Sequence, residues 1–440
     1  MEVGRAIQQV AFSGGQQPDE ALQLVLRPIP VPSPGHVLVR MLISVINPVD
    51  ITFIKECRLS SFKGAVPGSE GVGIVHQVGE GITTVRRGER VIPVIYWNYL
   101  VAKGQGAWQD FVEVAETDLI ILSENIPDEA ASLFIISPWT VYGLLQDLAI
   151  PRGEFLLQTA GGSVIGRLVI QLAKHWGIKT ISLIRREELR EELLELGADE
   201  VINSSKEDVI AKVLEITKGR GAYAGIDVIA GVSTKVVAAS VRDYGDIYVY
   251  GMISSPDVVV AAHDLMRKVN VTFWNLTRFL KNKEKKQDLL TALPKLFESK
   301  VLTPLVRKKI QFNQYKLGIH ESVLSAGESM ANMMEKIGDK LHMGGHKKEE
   351  PHTVGAAHPP QYAAPGYGVG AAAPGYSAAT PGYGAPTTAT PHQEGAMGKI
   401  KNKVKGSKNK VKVHGEDTSS SSSSESDGAG GRRKKKMGIF

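Results

Sequence analysis

Between residues 7 and 114, apolar side chains recur in short runs broken by Gly and Pro: VLVRMLISVI (37–46), GVGIVHQVG (71–79), RRGERVIPVI (86–95) and WQDFVEV (108–114). Runs of that length between regular turn signals predict short strands of a twisted, barrel-like β domain. From Glu154 the period changes. EFLLQTA (154–160), KTISLI (179–184), DEVIN (199–203), GIDVIA (225–230) and DIYVYG (246–251) read as strands, with helical segments GGSVIGRLVIQLAKHWG (161–177) and REELREELLELG (186–197) between them. Strands alternating with helices predict an α/β domain with a doubly wound parallel sheet.

The pattern then stops. All five Trp precede residue 300, and after residue 330 the only aromatics are four Tyr and Phe440. A stretch so poor in apolar bulk cannot offset its ordering entropy. The organisation expected is therefore a β domain at 1–125, an α/β domain at 126–299, a return to the first domain at 300–330, and a disordered tail at 331–440.

Charge follows the same division. The chain carries 52 Lys and Arg against 46 Asp and Glu, but residues 331–440 hold 16 basic and 9 acidic side chains, so the excess positive charge lies in the tail. The single Cys57 excludes an internal disulfide and a multi-cysteine zinc site and points to a reducing compartment. MEVGRAIQQVAFSGG lacks the apolar core of a signal peptide and the Arg- and Ser-rich pattern of a transit peptide, and no apolar run is long enough to span a membrane. A cytoplasmic location is expected, with no specific nucleic acid partner.

The segment TAGGSVIG (159–166) lies between a predicted strand and a predicted helix. Glycines there let the backbone approach a pyrophosphate, and the helix N-terminus adds unpaired N–H groups and a positive dipole end. Gly161, Gly162, Ser163, Val164, Ile165 and Gly166 are thus expected to bind a dinucleotide; a tight turn needed only for packing would read the same way. The next strand runs out into IRREE, where Arg185 and Arg186 stand in place of the acidic residue that suits ribose hydroxyls. Two guanidiniums suit a 2′-phosphate and predict NADPH over NADH, unless they form a solvated set with Glu187 and Glu188.

Together INPVDITFI (46–54), VPGSEGVGIVHQVG (66–79), GAWQDFVEV (106–114), SPWTVYGLL (137–145) and the glycine turn resemble the medium-chain dehydrogenase/reductases. The likeness spans roughly residues 5–325 and is greatest to the zinc-free branch with the trans-2-enoyl-thioester reductases and quinone oxidoreductases. YGMISSPDVVVAAHDLMRKVNVTFWNL (250–276), with its Phe273–Trp274 pair, leans to the enoyl reductases. The resemblance implies a GroES-like catalytic domain and a Rossmann domain. It further implies NADPH-dependent reduction of an activated carbon–carbon double bond, most readily in an enoyl thioester, with quinone or enal reduction as the alternative. Zinc-dependent members place Cys and His ligands where this chain has NPVD and GSEG, with Ser69 where a His would stand, so no metal is expected. A homodimer is expected.

By the same carry-over, Asn47 and Thr140 belong near the nicotinamide, Tyr250, Gly251, Met252 and Phe273 border it, and Trp274 lines the acyl pocket. Asn47 also reads as a turn residue before Pro48, and Trp274 as core. The family's tyrosine, its proposed proton donor, is replaced by Arg58, which reads either as an electrostatic partner of the thioester oxygen or as an exposed loop charge. The insert YWNYLVAK (96–103) offers Tyr96 and Tyr99 as substitute donors, or else serves packing or a subunit contact. The family's closing Gly-Lys strand is missing, and HESVLSAGESMANMMEKIGDKLHMGGH (320–346) stands in its place, which predicts an exposed edge or a weakened domain.

The tail repeats Pro-Gly-Tyr at Pro365, Pro374 and Pro381 and reads as a flexible spacer. SSSSSSESDGAGGRRKKK (419–436) resembles the serine segment and basic run of plant dehydrins, and MEKIGDKLHMGGHKKEE (334–350) their Lys-rich segment. Met334, Ile337 and Leu341 fall at helical spacing beside Lys336 and Lys340, which suits a short amphipathic helix on an anionic membrane. The competing reading is therefore a water-stress protein whose folded head has little activity.

Overall fold

In the computed structural model, residues 2–10 and 17–323 are described. The tail, 331–440, and what its sequence predicts lie outside them. The chain opens on a hairpin, β1 (Val3–Gln9) with β2 (Leu22–Pro28), paired antiparallel over its whole length. β3 (His36–Ser44) is the longest strand of a second, five-stranded antiparallel sheet. α1 (Pro48–Lys55) follows, begun by a reciprocal cap between Asn47 and Asp50 and by Pro48 at its first position, where a missing N–H leaves nothing unsatisfied. Then come β4 (Gly71–Val78), β5 (Arg90–Pro93), β6 (Phe111–Ala115) and β7 (Leu119–Ile120), giving the order β6-β3-β4-β5-β7. Register shifts in the β3–β4 pair, between Leu38 and Val39 and between Met41 and Ile43, curl the sheet. Val37, Val39, Val75, Val91, Val112 and Val114 fill its inner face.

After α2 (Asp128–Ser132), α3 (Ile136–Leu148) is apolar nearly all round and buried, as expected of a helix packed between two layers. Beyond it, β8 (Phe155–Gln158), α4 (Val164–Trp176), β9 (Lys179–Ile184), α5 (Arg190–Leu196), β10 (Glu200–Asn203), α6 (Val209–Ile216), β11 (Ala222–Asp227), α7 (Val232–Ser240), β12 (Val241–Val249), α8 (Ala262–Met266) and β13 (Asn270–Phe273) form a six-stranded sheet, all parallel, in the order β10-β9-β8-β11-β12-β13. The winding reverses between β8 and β11, and ligands of such sheets bind at the carboxyl ends of those strands. α9 (Leu276–Phe279) and α10 (Lys283–Glu298) close the domain, with Leu289, Leu293 and Phe297 buried against α3 and α4 in one core that also reaches Val72 and Ile92 of the first sheet.

The segment after α10 is where the sequence lacks the family's closing strand. No strand closes the first domain among the described residues. Residues 303–311 form no regular secondary structure, and 315–323 are helical. Tyr315 and Ile319 of that helix are buried with Ala6, Ile7, Leu22, Ile54 and Trp108, and the Tyr315 hydroxyl donates to the Leu22 carbonyl at 3.2 Å. An amphipathic helix supplies the apolar cover that a strand would have supplied. The charged, strand-poor sequence there marked the change, but not the face that would be buried.

Candidate active site

A cavity of about 2240 Å³ runs from the end of β9, past the carboxyl ends of β8 and β11, to α1 in the first domain. Of the residues singled out in the sequence, Asn47, Arg58, Tyr96, Thr140, Gly162, Ser163, Val164, Ile165, Arg185, Arg186, Tyr250, Gly251, Met252, Phe273 and Trp274 line it. Gly161 and Gly166 do not; they lie beneath the wall and make the turn. A Cβ on Gly166 would meet the Gly161 and Ala160 carbonyls at 2.5 and 2.6 Å, so the helix can start this close to the strand only without a side chain. Ser163 caps α4, its hydroxyl accepting from the Gly166 N–H at 3.0 Å.

At the carboxyl ends of the strands, buried Asp227 accepts from Thr159, Ser233 and Thr234 hydroxyls at 2.9, 3.2 and 2.7 Å and from the Ile229 N–H at 2.9 Å. It fixes the floor between β8 and β11. Tyr250, just past β12, presents a buried hydroxyl with no hydrogen-bond partner among the described residues. Burial and the charge of Asp227 raise its pKa, so it stays a neutral phenol.

The first domain contributes a buried polar knot. Asn47 donates through its side-chain amide to Ser69 Oγ (3.0 Å) and Glu70 Oε1 (2.8 Å), and Ser69 Oγ donates to Asp50 Oδ2 at 3.2 Å. The second oxygen of Glu70 accepts from the Ile135 and Ile136 N–H groups, both at 2.9 Å, at the N-terminus of α3. Desolvation pushes Asp50 and Glu70 up to about 7, against the hydrogen bonds that favour their charged forms. Thus Asn47 is more than a turn residue: it is the cap of α1, and a carboxylate that also holds α3 orients its amide.

Tyr96 and Tyr99 lie on a π-helical turn, Tyr96–Val101. Their fates differ. Tyr99 donates to Asp118 Oδ2 at 3.0 Å and accepts the Ala115 N–H at 2.7 Å, so it is a structural residue. Tyr96 stacks on Phe53 with ring centroids 5.8 Å apart and faces the cavity. Burial and the Asp50 charge raise its pKa while Arg58 opposes them. Next to it, Trp97 stacks on Trp139 and donates to Thr277 at 2.9 Å, pinning the insert to α9 of the other domain.

Arg58 lies over the Phe53 ring, its guanidinium carbon 5.3 Å from the centroid, and pairs with Glu56 at 2.5 Å on the exposed rim. Trp274 is mainly a core residue. It is buried, and its indole N–H donates to Asp147 Oδ2 at 2.7 Å, leaving only part of the ring on the cavity wall. Thr140 donates to the Ile136 carbonyl at 2.6 Å within its own helix. At the other end Glu187 does not serve Arg186; it accepts from Arg190 and from Asn203 (2.6 Å). Sequence reasoning missed Asp50, Glu70, Asp227, Trp97 and Arg307, because each acquires its role from a partner more than 15 positions away or from the return segment.

Among the described residues no group of three or more His, Cys, Asp or Glu is arranged to hold a metal ion. The donors around Asn47 are an amide, a hydroxyl and two carboxyls; all but Asp50 Oδ1, which is buried without a partner among the described residues, are bonded to one another or to α3, and none is a thiol or an imidazole. This set does not fit a zinc site.

Two family models match the chain: the alcohol dehydrogenase GroES-like domain over residues 33–124 and the zinc-binding dehydrogenase over 164–292. The mitochondrial enoyl-[acyl-carrier-protein] reductase of Dictyostelium discoideum is 30% identical over 295 residues, covering 65% of this chain and 82% of its own. That of Xenopus tropicalis is 30% identical over 303 residues, covering 66% and 84%. A solved Bacillus thuringiensis structure, named for NADPH:quinone reduction, superposes with a TM-score of 0.65 at 30% identity, covering 72% of this chain and 94% of its own. A GroES-like domain, a parallel Rossmann sheet wound about one crevice, and relatives of this extent place the chain in the medium-chain dehydrogenase/reductase family, as an oxidoreductase homologous to the mitochondrial enoyl reductases and the quinone oxidoreductases.

Proposed function

We propose that this chain reduces the activated double bond of an enoyl thioester, using NADPH. One observation carries the reading: a single cavity joins the α4 N-terminus and the Arg185–Arg186 pair to Asn47, Tyr96 and Arg58. The residues fit the cofactor. The turn at Gly162–Ile165 offers backbone N–H groups to a diphosphate, the arginines offer forked donors to a 2′-phosphate, and Tyr250 has a buried hydroxyl still unpartnered. When bound, NADPH supplies a hydride to the β-carbon of the substrate.

The chain's own residues then manage charge and a proton. As negative charge grows on the thioester oxygen, the Arg58 guanidinium at the rim, shared with Glu56, is a cation of the cavity wall that can meet it. Tyr96 remains protonated at neutral pH and serves as the donor to the α-carbon, after which water reprotonates it. Asn47, held by Glu70 and Ser69, orients the reacting groups without titrating.

A second reading, quinone or short-enal reduction, is favoured by Arg58 itself, since a reduced anion that is already stabilised needs no donor in the family's usual place. Turnover of the full chain with NADPH against crotonyl thioesters, simple quinones and enals decides between them. Crotonyl thioester turnover well above quinone turnover supports the first reading; turnover of none of them removes both and leaves the water-stress reading.

We also propose that two copies pair along β13, the edge strand of the parallel sheet, on which Phe273 is exposed. Light scattering that gives a monomer at micromolar concentration overturns this. Membrane binding by the tail and its release by serine phosphorylation are proposals for vesicle sedimentation, with and without kinase treatment.

A further inference from the structure

Around the end of β9 most carboxylates are already taken. Glu192 accepts both arms of Arg167 at 2.7 Å, and Glu207 accepts from Arg190 (2.6 Å) and the Asn203 N–H (2.7 Å). Glu187 is held by Arg190 and Asn203. Arg186 and Arg307, by contrast, line the cavity with no ion pair among the described residues, and Arg307 makes one hydrogen bond there, 3.5 Å to the Gly162 carbonyl of the glycine turn.

Arg307 does not belong to the sheet domain's own elements. It sits on the return segment, which is anchored on one side by the Thr303 N–H donating to Gln171 at 2.7 Å and on the other by Lys309 with Glu129 and Lys308 with Glu321. Arg186 and Arg307 line the same cavity, Arg307 beside the glycine turn, and partial burial, then the charges of Arg186 and Arg167, lower the Arg307 pKa from its ordinary value. Arg167 is neutralised by Glu192. The Arg186–Arg307 repulsion is left without a counter-charge, and like charges held together on a cavity wall are what a multiply charged anion relieves.

We propose that Arg307 is a further specificity-determining residue, completing with Arg185 and Arg186 the site for the 2′-phosphate of the dinucleotide. This rests on the reading of the cavity as an NADPH site and extends it: coenzyme choice is set in part from outside the βαβ unit, and the bound phosphate ties the return segment to the glycine turn.

The test is fluorescence titration of the full chain, unaltered and as Arg307→Ala and Arg307→Lys, with NADPH, NADH, adenosine 2′,5′-bisphosphate and ADP. Loss of a forked, charge-assisted contact should weaken NADPH and the bisphosphate by about 10- to 100-fold while NADH and ADP stay within about threefold. Arg307→Lys, which keeps the charge but not the fork, should fall between. Retained NADH binding shows that the variants fold. Unchanged NADPH affinity in Arg307→Ala overturns the proposal. Equal weakening of NADPH and NADH also overturns it, because Arg307 would then serve the diphosphate. If the unaltered chain binds neither coenzyme, the cofactor reading fails together with this one, a result distinct from either.

Discussion

The side-chain amide of Asn47 donates to Glu70 at 2.8 Å, and the other oxygen of the same carboxylate accepts the Ile135 and Ile136 N–H groups that open α3. One buried group therefore sets a side chain on the cavity wall and caps a helix of the neighbouring layer. Charge at a helix N-terminus is favourable and burial is not, so the protonation of Glu70 is balanced close to neutrality.

That balance predicts how stability varies with pH. Asp50 and Glu70 have folded-state values raised to about 7, above those of the unfolded chain, so the folded state holds more protons between about pH 4.5 and 7. Their contribution is greatest below the unfolded values and is lost as pH rises through the folded ones. Thermal melts of the full chain should therefore show this pair opposing stability as pH goes from about 5 to 7.5, and Asp50→Asn should flatten the slope. A slope unchanged by Asp50→Asn would mean that Asp50 does not titrate there.

For the cofactor, replacing Arg185 and Arg186 together by Ala should weaken NADPH about 10- to 100-fold and leave NADH nearly unaffected, abolishing the preference. Equal dissociation constants for NADPH and NADH in the unaltered chain would contradict the assignment of these arginines.

The glycine turn predicts a defect of another kind. In Gly166→Ala the new methyl would lie within 2.6 Å of two carbonyl oxygens, and the turn must shift, at a cost of about 1–3 kcal/mol. The melting temperature should drop and both coenzymes should bind more weakly, in contrast to the phosphate-selective effect of the arginine changes. A variant that melts and binds as the original does would show that the turn has room to spare.

Removing the Tyr96 hydroxyl tests the proton donor. Tyr96→Phe keeps the stack on Phe53 and should lower enoyl-thioester kcat about 10²- to 10⁴-fold, with quinone reduction within about threefold. Arg58→Tyr in that background should restore part of the enoyl activity. Loss of both activities together would instead point to a packing role for Tyr96.

Much of this was legible from the chain. Period-two runs and Gly-Pro punctuation determined the first sheet, alternation of strands and helices determined the parallel one, and TAGGSVIG with Arg185 and Arg186 marked residues that line one end of the cavity, because each of these signals is local. The sequence could not show that Tyr99 would be consumed by Asp118 and Ala115 while Tyr96 faced the cavity, since the two differ only in which side of one π-helical turn they occupy. Nor could it show that Trp274 would spend its N–H on Asp147, that residues 315–323 would return as a helix rather than a strand, or that Arg307 would reach the glycine turn. The last three outcomes depend on contacts between positions more than 100 residues apart. Backbone propensity carries no information about such pairs, and only the burial of one surface against another decides them.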